Sequence, residues 1–469
     1  MYQPVAIDNF VDKSRVGLRP AITALLLAIF VPAYLTIADP LAAQPVSATP
    51  GAANSGGEQD ALFKRILKEP ANLDVSFRHA ELSTANGDYE AAIGSLERML
   101  FYNPNLPRVM LELGVLYFRL GSYEMSREYL KKSIAASDTP PEVRVRIEAY
   151  LTEIEKRLNP NHTTGFAQTG VRYQTNANAG PIGDNVRVFG FDATLDRQFV
   201  KAHDWNWFAQ GVVRNTIDFG NQRGDAWEST IGAYLTRHRD FTRLNTALLD
   251  IQTGPRFALF PEKTQGWSWR PYVGVTGINL GGSNYLAGRT AGSTINWMPT
   301  PGWNIELGGE RSWRTFYNSD DYPTVENQSG FVNTGYVNLY GPLFGGWTWA
   351  ARGAISDNKA DVGWQSYLQR GVDFNLSYAM NVPLFGATRR FTVSPFVGYL
   401  DTQYEQADAL VDPTMERHDR ERKIGIAFDA QLTENAGIGL RLQYSKTDSN
   451  IPNYQTGNFS IFAGPTWRF

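Results

Sequence analysis

Cysteine is absent from this sequence, and histidine occurs only five times in 469 residues. Without a thiol, the chain has no disulfide framework, no metal–thiolate centre and no lipid-modified cysteine. The five histidines lie too far apart to match the ligand spacing of a metal site: His79, His162, His203, His238 and His418. We therefore predict no metal site and no cofactor.

Motifs that carry catalysis are lacking as well. The sequence has no Gly-x-Ser-x-Gly elbow, and Gly437 and Gly439 lack the third glycine and following helix of a phosphate-binding loop. Outer-membrane lipases show that a barrel can be an enzyme, but we predict no catalytic residue here. The net charge is only −3, and nothing in the sequence indicates nucleic-acid binding.

Long hydrophobic runs are missing after residue 37, so a transmembrane helix is not expected there. The run at 21–37 follows three basic residues and precedes the small pair Ala42–Ala43. This pattern predicts a secretory signal over residues 1–43. An inner-membrane anchor is the alternative, which Pro32 and the short run disfavour.

A linker and a helical domain follow the predicted signal. Residues 44–59 are small, polar and broken by proline and glycine, so we expect a disordered linker. Residues 60–158 contain two units that repeat at a spacing of 34, with flanking helices expected at 60–69 and 141–158. The matching positions are small, turn or packing residues of a tetratricopeptide repeat: Ala80 and Gly114, Gly87 and Gly121, Tyr89 and Tyr123, and Leu96 and Leu130.

The concave face of such a stack is a candidate groove for a protein cargo. Eight residues fall on this face: Asp74, Phe77, Glu81, Arg108, Leu111, Val115, Phe118 and Arg119. The alternative is that they are ordinary solvated or capping residues. The sequence alone leaves both interpretations open.

Residues 163–469 show the alternation of a membrane β-barrel. At 368–382, one face is largely apolar and the other small or polar. The 13% aromatic content and the 43 glycines are typical of interfacial girdles and tight turns. Fifteen strand segments can be placed, and one between 241 and 281 is suspected to be miscounted. We predict an α+β multidomain protein with a fourteen-stranded antiparallel transmembrane barrel, or alternatively sixteen strands.

The final strand carries an outward aromatic face that includes Trp467 and Phe469. A last strand of this kind resembles the signal that outer-membrane barrel assembly machinery reads, so that machinery is an expected partner. The mixed-charge run at 416–423 is interpreted first as a solubilising loop and second as a contact with lipopolysaccharide.

The order of these parts resembles the surface lipoprotein assembly modifier (Slam) family. The residues that carry the resemblance are the helix at 139–151 and the first strand with its continuation, Tyr173–Pro181. Gln174 and Thr175 stand where the family has an acidic residue and a serine. The resemblance implies an outer-membrane translocator with a periplasmic repeat domain, which moves a protein or lipoprotein cargo to or across the cell surface.

An exopolysaccharide exporter is the alternative function. Exporters of cellulose and poly-N-acetylglucosamine also join periplasmic tetratricopeptide repeats to a barrel, although their repeat regions are generally far longer. The aromatic residues do not separate the two cases, because sugar platforms and lipid-facing girdles use the same side chains.

Overall fold

A computed structural model of the chain describes residues 55–135, 141–196, 199–221, 223–260, 266–300, 302–384 and 386–469. The predicted signal at 1–43 lies outside the described residues. The chain divides after Pro160 into two compact units, one helical and one built of strands. Of the helices in the described ranges, none is long and apolar enough to cross a membrane.

Six helices are described in the helical unit: α1 (Ser55–Lys68), α2 (Leu73–Ala85), α3 (Tyr89–Tyr102), α4 (Pro107–Arg119), α5 (Tyr123–Ile134) and α6 (Pro141–Leu158). The prediction of a disordered linker was wrong for residues 55–59, which belong to α1. The Gln59 amide donates to Ser83 Oγ at 3.0 Å and to Asp88 Oδ2 at 3.1 Å. These contacts dock the start of α1 on the α2–α3 turn.

The helices α2–α3 and α4–α5 form the two predicted repeat hairpins. Gly87 and Gly121 turn the chain between the helices of each pair with φ of 80° and 76°, a region that favours glycine. A Cβ on Gly114 would lie 2.6 Å from Leu130 Cγ, so only glycine permits this approach of α4 and α5. The repeat prediction is therefore confirmed.

The predicted flanking helix α6 completes the second hairpin. Ile147 and Ile154 are fully buried and pack in one cluster with Leu130 of α5. Burying side chains of this size contributes about 1.5–3 kcal/mol each. The α6 helix thus covers an apolar face that the second hairpin would otherwise expose.

Sixteen strands are described in the second unit: β1 (Asn161–Gln174), β2 (Asn185–Val188), β3 (Phe191–Thr194), β4 (Asp204–Asp218), β5 (Ala226–His238), β6 (Thr246–Leu259), β7 (Trp267–Leu280), β8 (Ser283–Trp297), β9 (Asn304–Phe316), β10 (Gly330–Pro342), β11 (Trp347–Ala360), β12 (Tyr367–Leu384), β13 (Ala387–Tyr404), β14 (His418–Gln431), β15 (Ala436–Ser449) and β16 (Thr456–Arg468).

Fourteen of these strands form a closed antiparallel barrel, in which β1 pairs with both β16 and β4. The strands β2 and β3 make a separate hairpin. The prediction of fourteen barrel strands is therefore confirmed, and the alternative of sixteen was wrong. The suspected miscount between 241 and 281 was also wrong, since that stretch holds β6 and β7. The surplus segment was the β2–β3 hairpin.

The barrel has an apolar outside and a polar inside. On β12, Val372 is 58% exposed and Phe374 is 38% exposed on the outer surface, while Asp373 and Asn375 alternate with them on the inner face. An apolar face left open on the outside of a closed barrel is suited to lipid. The chain is thus a transmembrane β-barrel joined to a tetratricopeptide-like helical unit.

The two ends of the barrel are distinguished by the strand directions. We call proximal the end where β1 begins and β16 ends, and distal the opposite end. Stacked aromatic pairs lie near the proximal end, with ring centroids 5.0 Å apart for Trp267 and Trp297 and 4.9 Å for Trp347 and Tyr378. Such rings are typical of a membrane interface.

The β1–β16 pairing closes the ring through two glycines. Phe166–Gln168 pair with Thr466–Arg468, and Val171–Gln174 pair with Ser460–Ala463. Between these two stretches, a Cβ on Gly170 would lie 2.0 Å from the Ala463 oxygen, and one on Gly464 would lie 1.9 Å from the Thr169 oxygen. Close backbone approach at this point therefore requires glycine on both strands.

Replacing Gly464 by alanine should weaken closure of the barrel. The added methyl group meets backbone atoms that cannot move aside, and overpacking of this kind costs about 1–3 kcal/mol. The heat-modifiable, folded fraction on a gel and the midpoint of urea unfolding measure the effect. Gly335→Ala is the matched control, because its Cβ would meet only Ile355 Cγ2 at 3.8 Å. Equal stability of both variants would contradict this account.

Candidate functional site

The structure brings part of the predicted cargo face of the helical unit together. The Arg108 guanidinium lies 5.0 Å from the centroid of the Phe77 ring, whose other side packs against the core of the first hairpin, so that the ring is only half-exposed. Asp74 and Glu81 are exposed on the same helix as Phe77, and Glu81 pairs with Arg78 at 3.5 Å. This stacked pair with flanking carboxylates offers an apolar contact and charges of both signs to a bound chain.

Three other predicted face residues are packing residues, so their assignment to a groove was wrong. Val115 is only 6% exposed. Leu111 and Phe118 pack against the cluster formed with α6, and the Phe118 ring meets Tyr150 edge-on at 5.3 Å. Sequence periodicity placed all of them on one helical face, but α6 occupies part of that face.

Arg119 is exposed, and its guanidinium lies 5.9 Å from the Tyr89 ring. A comparable contact that the sequence did not reveal involves Arg157 of α6. Its guanidinium lies 5.1 Å from the Phe118 ring and 5.2 Å from the Tyr123 ring. The second hairpin is therefore stabilised by an arginine that comes from a distant part of the sequence.

The titratable groups inside the helical unit are structural. Glu97 accepts hydrogen bonds from the Tyr117 and Tyr129 hydroxyls at 2.7 and 3.3 Å. Burial, together with the Glu97 charge, raises the pKa of both tyrosines. His79 lies 2.8 Å from Ser95 Oγ, and burial lowers its pKa. All three side chains therefore stay neutral near pH 7 and serve packing.

The barrel lumen carries charges of both signs. Inward arginines stack on aromatic rings, with Arg172 5.2 Å from Phe462 and Arg441 4.2 Å from Phe396. Glu310 of β9 accepts a hydrogen bond from the Tyr272 hydroxyl at 2.6 Å. On the same side, Glu228 of β5 pairs with Arg270 of β7 at 3.3 Å. Arginines and carboxylates therefore line a polar passage together.

The segment that resembles the Slam family forms the base of the β1–β4 loop at the distal end. The Asn176 amide donates to the Gly180 carbonyl at 2.8 Å, and its carbonyl accepts from the Gly180 amide at 3.0 Å. Asn178 likewise donates to the Val200 carbonyl at 2.9 Å and accepts from the Ala202 amide at 2.8 Å. Each asparagine side chain bonds one backbone carbonyl and one backbone amide, so the two side chains fix the fold of the loop.

Polar contacts hold this β1–β4 loop, residues 175–203, against two other distal loops. Arg187 Nη1 lies 2.8 Å from Asp412 Oδ2, and the Asp412 side chain is fully buried. The Arg187 backbone amide donates to Asn453 Oδ1 at 2.6 Å, and Asn453 Nδ2 donates to the Arg187 carbonyl at 2.9 Å. Three backbone hydrogen bonds add to these contacts: the amides of Ile182, Phe189 and Gly190 donate to the carbonyls of Gln455, Leu410 and Val411 at 2.9–3.0 Å.

Beneath these loops lies a lumenal cavity of about 110 Å³. Its lining combines loop residues such as Asn176 and Tyr454 with inward residues of β9 and β11–β16. Arg417 lies between two rings, 3.5 Å from the centroid of Tyr454 and 4.6 Å from that of Tyr404. It also donates to Asp419 Oδ2 at 2.8 Å. The distal lumen is therefore bounded by loops and contains an ordered polar cluster.

A fourth distal loop, residues 317–329, folds over the opposite inner wall. Tyr322 and Val325, which follow β9, are buried in one cluster with Leu248 and Ile278 of the inner face. The Tyr322 hydroxyl donates to the Arg243 carbonyl at 2.9 Å. These four loops all lie at the distal end of the barrel.

The interpretation of residues 416–423 as a single solubilising loop was wrong. His418 begins β14, so the run alternates between the two faces of the barrel wall. Arg417 and Asp419 turn into the lumenal cavity, while Arg420 and Arg422 are exposed on the outer surface. If the run is interpreted as a strand, alternate side chains point to opposite faces, and the two sets separate.

The aromatic residues of the last strand are both exposed, with Trp467 at 46% and Phe469 at 57%. The Gly165 amide donates to the Phe469 carbonyl at 2.8 Å, and the Phe469 amide donates back to the Gly165 carbonyl at 3.1 Å. A Cβ on Gly165 would lie 2.4 Å from the Phe469 ring. Phe469 thus takes part in the β1–β16 junction and presents an aromatic ring at the proximal end.

No protein-family model and no curated protein matches this chain. Among solved structures, the helical unit is similar to the Yersinia enterocolitica chaperone SycD in complex with a peptide of the translocator YopD. The identity is 15%, over 22% of this chain and 81% of that one, with a TM-score of 0.21. The chain spans 58% of the length of MamA, at 17% identity over 22% of its own length and a TM-score of 0.20.

The barrel is similar to an anion-selective porin from Comamonas acidovorans, at 11% identity over 66% of this chain and 99% of that one, with a TM-score of 0.33. It is also similar to a bacterial polysaccharide outer membrane secretin, at 10% identity over 65% and 98% of the two chains, with a TM-score of 0.29. These likenesses are too weak to indicate a function, and the fold rests on the strand pairing described above.

Replacing Phe469 by aspartate should impair membrane assembly. The change removes the ring that covers Gly165 and puts a charge at an interface position. The amount of heat-modifiable barrel in the membrane fraction measures the effect, and we expect a loss of most of it. Phe344→Asp is the control, because Phe344 is an exposed aromatic in a proximal turn. Wild-type assembly of Phe469→Asp would contradict the assignment.

Proposed function

We propose that the protein is an outer-membrane translocator that moves a protein or lipoprotein cargo to or across the cell surface. In this proposal, the proximal end faces the periplasm, where the helical unit receives the cargo. The distal end faces the outside. The support for this orientation is that short turns join the strands at the proximal end, while the longer loops lie at the distal end.

The proposal rests on one observation: the distal loops lie over a polar lumen. We call these loops the loop cover. The distal loops are held over the polar lumen by Arg187, Asp412 and Asn453 through contacts that can break and re-form. The two Asn453 hydrogen bonds contribute about 0.5–1.5 kcal/mol each, and the Arg187–Asp412 bond between charged groups about 1.5–3 kcal/mol. A cover fastened in this way suits a passage that opens for a cargo and closes behind it.

The helical unit supplies the receiving surface. Its stacked Phe77 and Arg108, with Asp74 and Glu81 beside them, are suited to an extended or partly folded chain. The motif that fixes the β1–β4 loop supports membership of the Slam family, in which Gln174 and Thr175 would be departures. The outer-membrane barrel assembly machinery is the proposed partner for insertion.

An exopolysaccharide exporter is the second candidate. The lumenal cavity favours it to some degree, because amide and hydroxyl groups line it together with the rings of Tyr404 and Tyr454. Such a surface suits a sugar chain as well as a peptide. Cargo display by a groove variant and the phenotype of a deletion strain separate the two functions.

Replacing Phe77 by alanine and Arg108 by serine should trap cargo in the periplasm. The double change removes the stacked anchor, and loss of such anchors typically costs 2 kcal/mol or more of binding, or roughly a thirtyfold loss of affinity. The test cargo is a surface protein encoded by a neighbouring gene. Its display at the cell surface, measured by protease shaving, should fall while the barrel still assembles. Phe101→Ala is the control, since Phe101 is an 80% exposed aromatic at the end of α3.

Phe118 is left unchanged because it packs against α6. Phe77 is itself half-buried against the core of the first hairpin, so circular dichroism must show that the double variant keeps its helical content. A deletion strain that displays every surface protein normally but loses an extracellular polysaccharide would overturn the translocator proposal and favour the exporter.

A further inference from the structure

Two arginines lie side by side on the lipid-facing surface near the distal end. Arg289 of β8 and Arg311 of β9 are exposed and share the outer face with Trp313, Leu307 and Ile295. Arg289 is opposite Trp313, and Arg311 is opposite Ala291. The arginines are therefore diagonal cross-strand neighbours, about 7–8 Å apart at the backbone.

Neither arginine forms an ion pair within the part of the chain that the structure describes. Arg311 Nε donates to Asn333 Oδ1 at 2.7 Å, and its guanidinium lies 4.8 Å from the Phe331 ring. Asp357 is the outward carboxylate one strand beyond Asn333, and it is engaged by Lys359 at 3.2 Å. Arg311 is therefore held in a fixed direction by neutral groups.

Two like charges in diagonal contact repel each other, and this repulsion grows where the surroundings have a low dielectric constant. On the outer wall of a barrel, water is scarce next to the apolar belt, here represented by Val273, Val275 and Leu307, which are 53–60% exposed. An arginine at this depth is tolerated when an anion lies beside it. The geometry thus calls for an anion that comes from the membrane.

We propose that Arg289 and Arg311 bind a phosphate group of lipid A, with Trp313 at the headgroup level and the acyl chains along Val273, Val275 and Leu307. Guanidinium groups match phosphate oxygens in a bidentate manner. The choice of lipid A over a phospholipid rests on the orientation in the proposed function, which puts the distal end in the outer leaflet. The site itself requires no cargo.

The full-length protein, purified in detergent, tests the site by native mass spectrometry with bis-phosphorylated lipid A added at increasing concentration. We expect the double variant Arg289→Gln with Arg311→Gln to bind at least tenfold more weakly than wild type, and each single variant to fall between. Dephosphorylated lipid A should bind as weakly to wild type as the phosphorylated form binds to the double variant. Heat-modifiability confirms that every variant is folded.

Arg237→Gln is the matched control. Arg237 is also an exposed arginine on the outer face near the distal end without an ion pair among the described residues, but it is opposite Trp207, and the nearby Arg239 is paired with Asp240 at 3.9 Å. Its loss should leave lipid A binding unchanged.

Three results would overturn the proposal. The first is equal lipid A binding by wild type and the double variant. The second is an equally large effect of Arg237→Gln, which would remove the role of the pair. The third is tighter arginine-dependent binding of phosphatidylglycerol than of lipid A, which would assign the site to a phospholipid. Because no cargo is present, these outcomes are independent of whether the translocator proposal holds.

Discussion

Closure of the barrel between β1 and β16 is the constraint on which the rest of the structure depends. Lipid offers no hydrogen-bond partner, so an open strand edge inside the membrane would leave a row of unpaired backbone groups. Here the junction is made by strand pairing, by the mutual backbone hydrogen bonds of Gly165 and Phe469, and by the close approach at Gly170 and Gly464. A closed ring then separates an outer face for lipid from an inner face for water.

The separation of faces explains how the distal loops are organised. Because the inner wall is polar, loops that fold over it find hydrogen-bond partners and ion pairs as well as a few apolar residues. The β1–β4 loop builds its own base with Asn176 and Asn178 and reaches across to Asp412 and Asn453. On the outer face, Arg289 and Arg311 have no carboxylate partner among the described residues, which is the basis of the proposed lipid site.

The sequence predicted those features that depend on local periodicity. Period-two alternation predicted the strands, and the 34-residue spacing of Gly87 and Gly121 predicted the hairpins. It did not predict features that depend on distant contacts. The β2–β3 hairpin was counted as a barrel strand because its sequence does not show which strand it pairs with. Only the tertiary structure shows that β2 and β3 pair with each other and stay outside the barrel sheet. Phe118 was assigned to a groove because periodicity does not reveal that α6 covers it. The inward position of Arg417 was not predicted, because Arg417 lies in a charged run whose alternate residues face opposite sides of the barrel wall.

Passage of cargo through the lumen is the central claim, and a disulfide across the loop cover tests it most directly. The Ile182 amide donates to the Gln455 carbonyl at 2.9 Å, and a Cβ on Gly457 would lie 3.4 Å from Ile182 Cδ1. The chain has no cysteine of its own, so Ile182→Cys with Gly457→Cys introduces a single crosslink. The measurement is surface display of cargo with and without reductant, beside each single-cysteine variant. Display should be lost when the crosslink forms and return on reduction; full display from a quantitatively crosslinked barrel would contradict the account.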